Sequence, residues 1–169
     1  MRNNEQLQII VRFLALLFAQ FLIFNRMDFM GFINPMVYLL FLYWFPIKER
    51  PAALLLWSFG LGLLIDLFSD TMAIHTAAIL TAAFFRPAIM RFCFGVNYEF
   101  QSFKLSQTTK AQKITYLGLL IVVHHIVFFA LEAFGWSHFF SISKKVLATA
   151  LATLVICLLL ISLLGRDKS

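Results

Sequence analysis

The stretch Pro51-Ala52-Ala53-Leu54-Leu55-Leu56-Trp57-Ser58-Phe59-Gly60-Leu61-Gly62-Leu63-Leu64-Ile65-Asp66-Leu67-Phe68 carries one ionisable side chain, Asp66, and runs into Ser69-Asp70-Thr71-Met72-Ala73-Ile74-His75. An apolar run of this length reads as a membrane-crossing helix, since about 20 residues in helical form match a hydrocarbon core of roughly 30 Å. Pro51 opens it at the first helical position, where a missing N–H is harmless. Gly60 and Gly62 predict close helix packing, because small residues let backbones approach. Ser69, Asp70 and Thr71 predict a tight turn, and any of them can cap the next helix by accepting its orphan N–H bonds. Asp66 is the costly residue. A carboxylate at mid-bilayer costs about 2.5–3.5 kcal/mol, less near the interface, so it needs a partner. His75, one turn into the following helix, is the expected one, so that Asp66, Ser69, Asp70, Thr71 and His75 pin a helical hairpin.

Working outward, apolar runs of similar character recur at 9–24, 32–45, 51–68, 72–86, 115–134 and 146–164. They predict an all-α, polytopic membrane bundle of about six transmembrane helices, forming a single integral-membrane domain over 1–169. The second run is the shortest, with Pro35 near its start and Pro46 at its end; a re-entrant path there or in the fourth run would lower the count. The first run lacks an Ala-x-Ala pattern after its core and reads as a retained helix. The fourth ends at Arg86-Pro87, and 87–113 is expected to be a loop, apolar at first and lying in the interface, then polar and solvated.

Composition agrees: 62% of residues are hydrophobic and 13% charged, against roughly 25% charged in soluble domains. The 21 Phe exceed what a small aqueous core could hide. The net charge of +6 does not point to nucleic acid, because the Lys and Arg fall between apolar runs and form no single stripe. With six spans and the N-terminus inside, eleven basic residues face the cytoplasm and three face out, the bias of the positive-inside rule. Both termini are therefore expected inside, and the basic loop is expected to meet anionic lipid or a cytoplasmic partner.

Chemistry-bearing motifs are scarce. No G-x-S-x-G, H-E-x-x-H, P-loop or G-x-G-x-x-G occurs, so neither enzymatic activity nor a cofactor is expected. Cys93 and Cys157 are too few for a disulfide framework. His124 and His125 point about 100° apart on a helix and cannot clasp one metal from one face. Glu132 follows two turns beyond them. Asp66, His75, Glu132 and His138 are all expected near the outer side, where they could contact a partner or ligand.

The pattern Gly60-x-Gly62-x-x-x-Asp66-x-x-Ser69-Asp70-Thr71-x-x-Ile74-His75, with Gln20 late in the first run and Pro35 opening the second, resembles the rod shape-determining protein MreD family. The close match covers about Phe59 to Pro87; elsewhere length and span number agree. Ser69-Asp70-Thr71 stands where a glycine turn is frequent in that family. The resemblance implies a non-catalytic subunit in the bacterial cytoplasmic membrane. It also implies an MreC-type single-pass partner and a link between MreB filaments and the peptidoglycan synthases, RodA and its transpeptidase. It further implies a fold similar to the substrate-binding subunits of energy-coupling-factor transporters. Those subunits supply the competing reading, a vitamin or small-molecule carrier that holds its substrate in an outward polar pocket.

Overall fold

A computed structural model describes residues 2–27, 33–100, 102–133 and 139–164. Among the described residues, five helices are long and apolar enough to cross a membrane: α1 (Arg2–Leu22), α3 (Pro51–Ser69), α4 (Ile74–Phe94), α5 (Lys110–Glu132) and α6 (Phe139–Leu164). Between α1 and α3 the described residues form 3-10 turns at Phe24–Arg26 and Val37–Leu39 and the five-residue α2 (Leu40–Trp44). The sixth spanning helix expected over 32–45 is therefore not formed among the described residues 33–45. Two prolines explain this. Pro35 biases Asn34 away from helical backbone, and Pro46 follows the extended Phe45. The ten residues between them would make a helix of only about 15 Å.

The second run nevertheless returns the chain from one end of the bundle to the other. Asn25, just past α1, donates from Nδ2 to Ser69 Oγ at the end of α3 (2.7 Å), so the C-terminal ends of these two helices meet. Helices α1 and α3 consequently run in the same direction, and residues 33–50 must descend between them. Pro35 lies level with Gln20 of α1, and Trp44 level with Arg12, about two turns lower. Helices α4 and α6 run opposite to α1, α3 and α5. The first residue of α1 and the last of α6 thus lie at one end, and the α3–α4 corner at the other.

Several boundaries move. Helix α4 does not stop at Arg86-Pro87 but continues to Phe94 with Pro87 inside it, and a 3-10 segment follows at Gly95–Glu99. The interfacial stretch expected at the start of the loop is thus the last two turns of α4. Helix α5 begins earlier than expected, at Lys110, behind a capping box. There Gln112 N–H donates to Thr109 Oγ1 (3.2 Å) while Thr109 N–H donates to Gln112 Oε1 (3.1 Å).

Apolar residues divide between two environments. Val37, Leu39, Leu40 and Leu42 of the descending segment are wholly buried, with Leu61, Ile79, Leu117 and Leu120 of the surrounding helices. Leu56, Leu67, Phe84, Phe92 and Leu163 point outward. In water such an exterior would be costly; against lipid tails it is matched. A multi-pass membrane protein is the class that this surface fits.

Candidate functional site

The polar interior starts from the problem that the descending segment poses. Non-helical backbone at membrane depth leaves N–H and C=O groups without partners unless protein supplies them. Here the helices around it do. Gln20 donates from Nε2 to the Pro35 carbonyl (3.2 Å) and accepts from Val37 N–H (2.9 Å). Met36 N–H donates to Thr153 Oγ1 of α6 (3.1 Å). Arg12 Nη1 donates to the Trp44 carbonyl (2.8 Å), and Arg86 Nη2 to the Phe45 carbonyl (2.6 Å). Arg86 is only 5% exposed, and its Nε donates to Tyr116 Oη (2.7 Å). Its guanidinium fits this place because its several N–H donors can serve two acceptors at once.

The α3–α4 corner is built around Asp66, 4% exposed. Its Oδ1 accepts from Thr71 Oγ1 (2.5 Å) and His75 N–H (3.0 Å), and its Oδ2 from Thr76 N–H (2.8 Å) and Thr76 Oγ1 (2.5 Å). The carboxylate thus caps α4, where its charge also meets the positive end of the helix dipole. The expected partner is corrected. His75 contributes its backbone N–H to Asp66, while its imidazole Nδ1 lies 2.9 Å from Tyr38 Oη. The side-chain donor expected of His75 is supplied instead by the Thr76 hydroxyl.

The other corner residues take distinct roles. Ser69 Oγ accepts from Asn25, and Thr71 bonds Asp66 through both its hydroxyl and, at the backbone, the Asp66 carbonyl (3.1 Å). Asp70 ends α3 in the left-handed conformation (φ 53°, ψ 42°), the backbone that a glycine turn adopts easily. Ala73 repeats that conformation at φ 59°. Gly62 sits where a Cβ would come within 2.6 Å of Thr76 Cα, so α3 and α4 touch through it. At Gly60 a Cβ would meet only the tip of Phe13, at an ordinary contact distance of 4.0 Å. The close approach expected of both glycines belongs to Gly62 alone.

Tyr38, fully buried on the descending segment, joins three elements. Its hydroxyl lies 2.9 Å from His75 Nδ1 on α4 and 2.7 Å from His124 Nε2 on α5. With one proton, it donates to one imidazole and accepts from the other. His124 Nδ1 is left without a partner among the described residues. His125 turns the other way, its Nδ1 against the Ile121 carbonyl (2.8 Å) and its Nε2 3.3 Å from Thr153 Oγ1. Among the described residues, no three His, Cys, Asp or Glu side chains gather closely enough to hold a metal ion.

Beside the corner opens a cavity of about 550 Å³, reached from the ends of α1, α3 and α5 and the start of α6. Gln20, Asn25, Ser69, Thr71 and His75 line it, and each is occupied by the bonds above. Arg26, Glu132 and Lys145 also line it, exposed, with no ion pair among them within 4.0 Å. Asn34 Oδ1 and Thr149 Oγ1 are buried on it with no hydrogen-bond partner among the described residues, and Thr149 is only 1% exposed. His138, expected near this end, lies outside the described residues.

Several of these residues escaped sequence reading. Tyr38, Thr76, Thr149 and Thr153 stand inside apolar runs, and Arg86 at the expected end of the fourth. The available signal was a hydroxyl or guanidinium inside or beside a spanning run, which needs an internal partner. The chain matches no protein-family model, no curated protein and no solved structure.

Proposed function

We propose that this chain is a non-catalytic scaffold subunit of the bacterial cell-elongation machinery, of the kind that the MreD resemblance implies. On this reading it sits in the cytoplasmic membrane with the α3–α4 corner outside. It holds an MreC-type single-pass protein against a helical face and links MreB filaments to RodA and its transpeptidase.

The observation that supports it is the state of the corner on which the resemblance rests. Both oxygens of Asp66 are fully engaged in capping α4, and Gly62 is closed against Thr76. A carboxylate holding four donors is a joint that shapes a helical hairpin. What such a joint positions is the exterior of the helices, which are lined with Leu and Phe suited to lipid or to a partner helix. Deletion in a rod-shaped host, followed by cell-shape imaging and localisation of MreC, tests the proposal. Rounded cells with dispersed MreC are expected; unchanged rods with unchanged MreC would overturn it.

The second reading, a substrate-binding subunit of a small-molecule transporter, is favoured by the cavity beside the corner. Mild-detergent pull-down from native membranes separates the two. A single-pass coiled-coil protein among the leading partners supports the scaffold, and ATPase subunits support the transporter.

A further inference from the structure

We infer that the cavity beside the α3–α4 corner is a binding site for a small zwitterion, a molecule carrying both an ammonium and a carboxylate group. The inference concerns occupancy alone and stands for a scaffold as for a transporter subunit.

Three observations lead to it. The first is capacity: about 550 Å³ lies within the range of roughly 300–1,000 Å³ typical of small-molecule sites. The second is the floor. Thr149 is 1% exposed and Asn34 Oδ1 is buried, yet neither atom has a partner among the described residues. Native proteins rarely leave such atoms unbonded. The backbone of the descending segment and the corner carboxylate are paired, and the two other buried side-chain atoms without a partner among the described residues, Ser58 Oγ and His124 Nδ1, do not line this cavity. An amide oxygen accepts and a hydroxyl can do either, so the floor suits a ligand that brings at least one N–H donor. The third is the rim. Arg26 and Lys145 supply cations on one helix end each, and Glu132 a carboxylate on a third. With no ion pair among them, both signs remain available to a ligand. A carboxylate would go to Arg26 and Lys145, and an ammonium to Glu132 and Asn34. Phe21, Phe68 and Phe128 supply apolar wall between these ends.

Other places in the bundle carry less. The buried guanidinium of Arg86 is absorbed by Phe45 and Tyr116. The Tyr38–His75–His124 chain ends at His124 Nδ1, which has no partner among the described residues and does not line the cavity described above.

The test uses the full chain, purified in mild detergent, with thermal unfolding followed by tryptophan fluorescence. Three probes are titrated: L-alanyl-L-alanine, its N-acetyl derivative, which lacks the ammonium, and its amide, which lacks the carboxylate. The zwitterionic dipeptide is expected to raise the melting temperature saturably, and the two singly charged probes to need at least about fivefold higher concentration, as loss of one charged contact implies. Thr149→Val is expected to weaken the dipeptide about threefold to tenfold while leaving the unliganded melting temperature unchanged or higher. Glu132→Gln, at the exposed rim, is expected to weaken the dipeptide but not the N-acetyl probe. No saturable shift with any of the three probes overturns the inference. Equal shifts from the dipeptide and the N-acetyl probe overturn the zwitterion, as does an unchanged dipeptide response in Thr149→Val.

Discussion

Two polar clusters lie side by side at one end of this bundle, built from similar residue types and used in opposite ways. At the α3–α4 corner, Asp66 receives four donors and both threonine hydroxyls are engaged. On the cavity floor, Asn34 Oδ1 and Thr149 Oγ1 are equally hidden and have no partner among the described residues. Buried polar atoms that are satisfied hold a fold; those left unsatisfied cost stability unless something else meets them. The first cluster is therefore read as architecture and the second as a place for a ligand. Mutations should separate them by size and sign.

The largest loss should follow Asp66→Ala. It strips four donors of their acceptor, for a cost of about 4 kcal/mol, seen as a large fall in melting temperature in detergent or as failure to accumulate. If Asp66→Ala melts like the parent, the corner is not the joint described. Gln20→Leu comes next, because Gln20 lines the cavity yet belongs with the saturated group. Leaving the Pro35 carbonyl and Val37 N–H unmet should cost about 3 kcal/mol. Gly62→Ala should cost about 2 kcal/mol by forcing α3 from the Thr76 backbone. Gly60→Ala, made as its control, should be neutral or stabilising. Ala73→Gly should stabilise by about 1 kcal/mol, since glycine adopts its left-handed backbone without the Cβ penalty. Thr149→Val should lie near zero, because it removes a hydroxyl that bonds nothing among the described residues. A loss of about 2 kcal/mol there would mean that the hydroxyl has a partner and that the two clusters are alike.

The descending segment shows why part of the fold was hard to read. Its residues are as apolar as those of a spanning helix, and hydropathy alone cannot distinguish a helix facing lipid from a segment buried among helices. Pro35 and Pro46 were visible and marked the run as short. That Gln20, Arg12, Arg86 and Thr153 would hold its backbone was not, because these residues come from three different helices. The corner was easier. A single carboxylate in an apolar run, followed by Ser69-Asp70-Thr71, marks a capped helix start, although the capping partners proved to be Thr71, Thr76 and backbone rather than the His75 ring.

By itself, then, the sequence determined the membrane class, five of the helices, the turn after α3 and the need of Asp66 for hydrogen-bond partners. These follow from run length, proline positions and the cost of burying charge, all local quantities. Only the tertiary structure decided that the second run descends without a spanning helix, that Gly62 rather than Gly60 meets α4, and which polar atoms stay unpaired beside the cavity. Each of those depends on which faces of distant helices meet, and with Leu and Phe suited equally to lipid and to protein, the order of residues along one helix does not say.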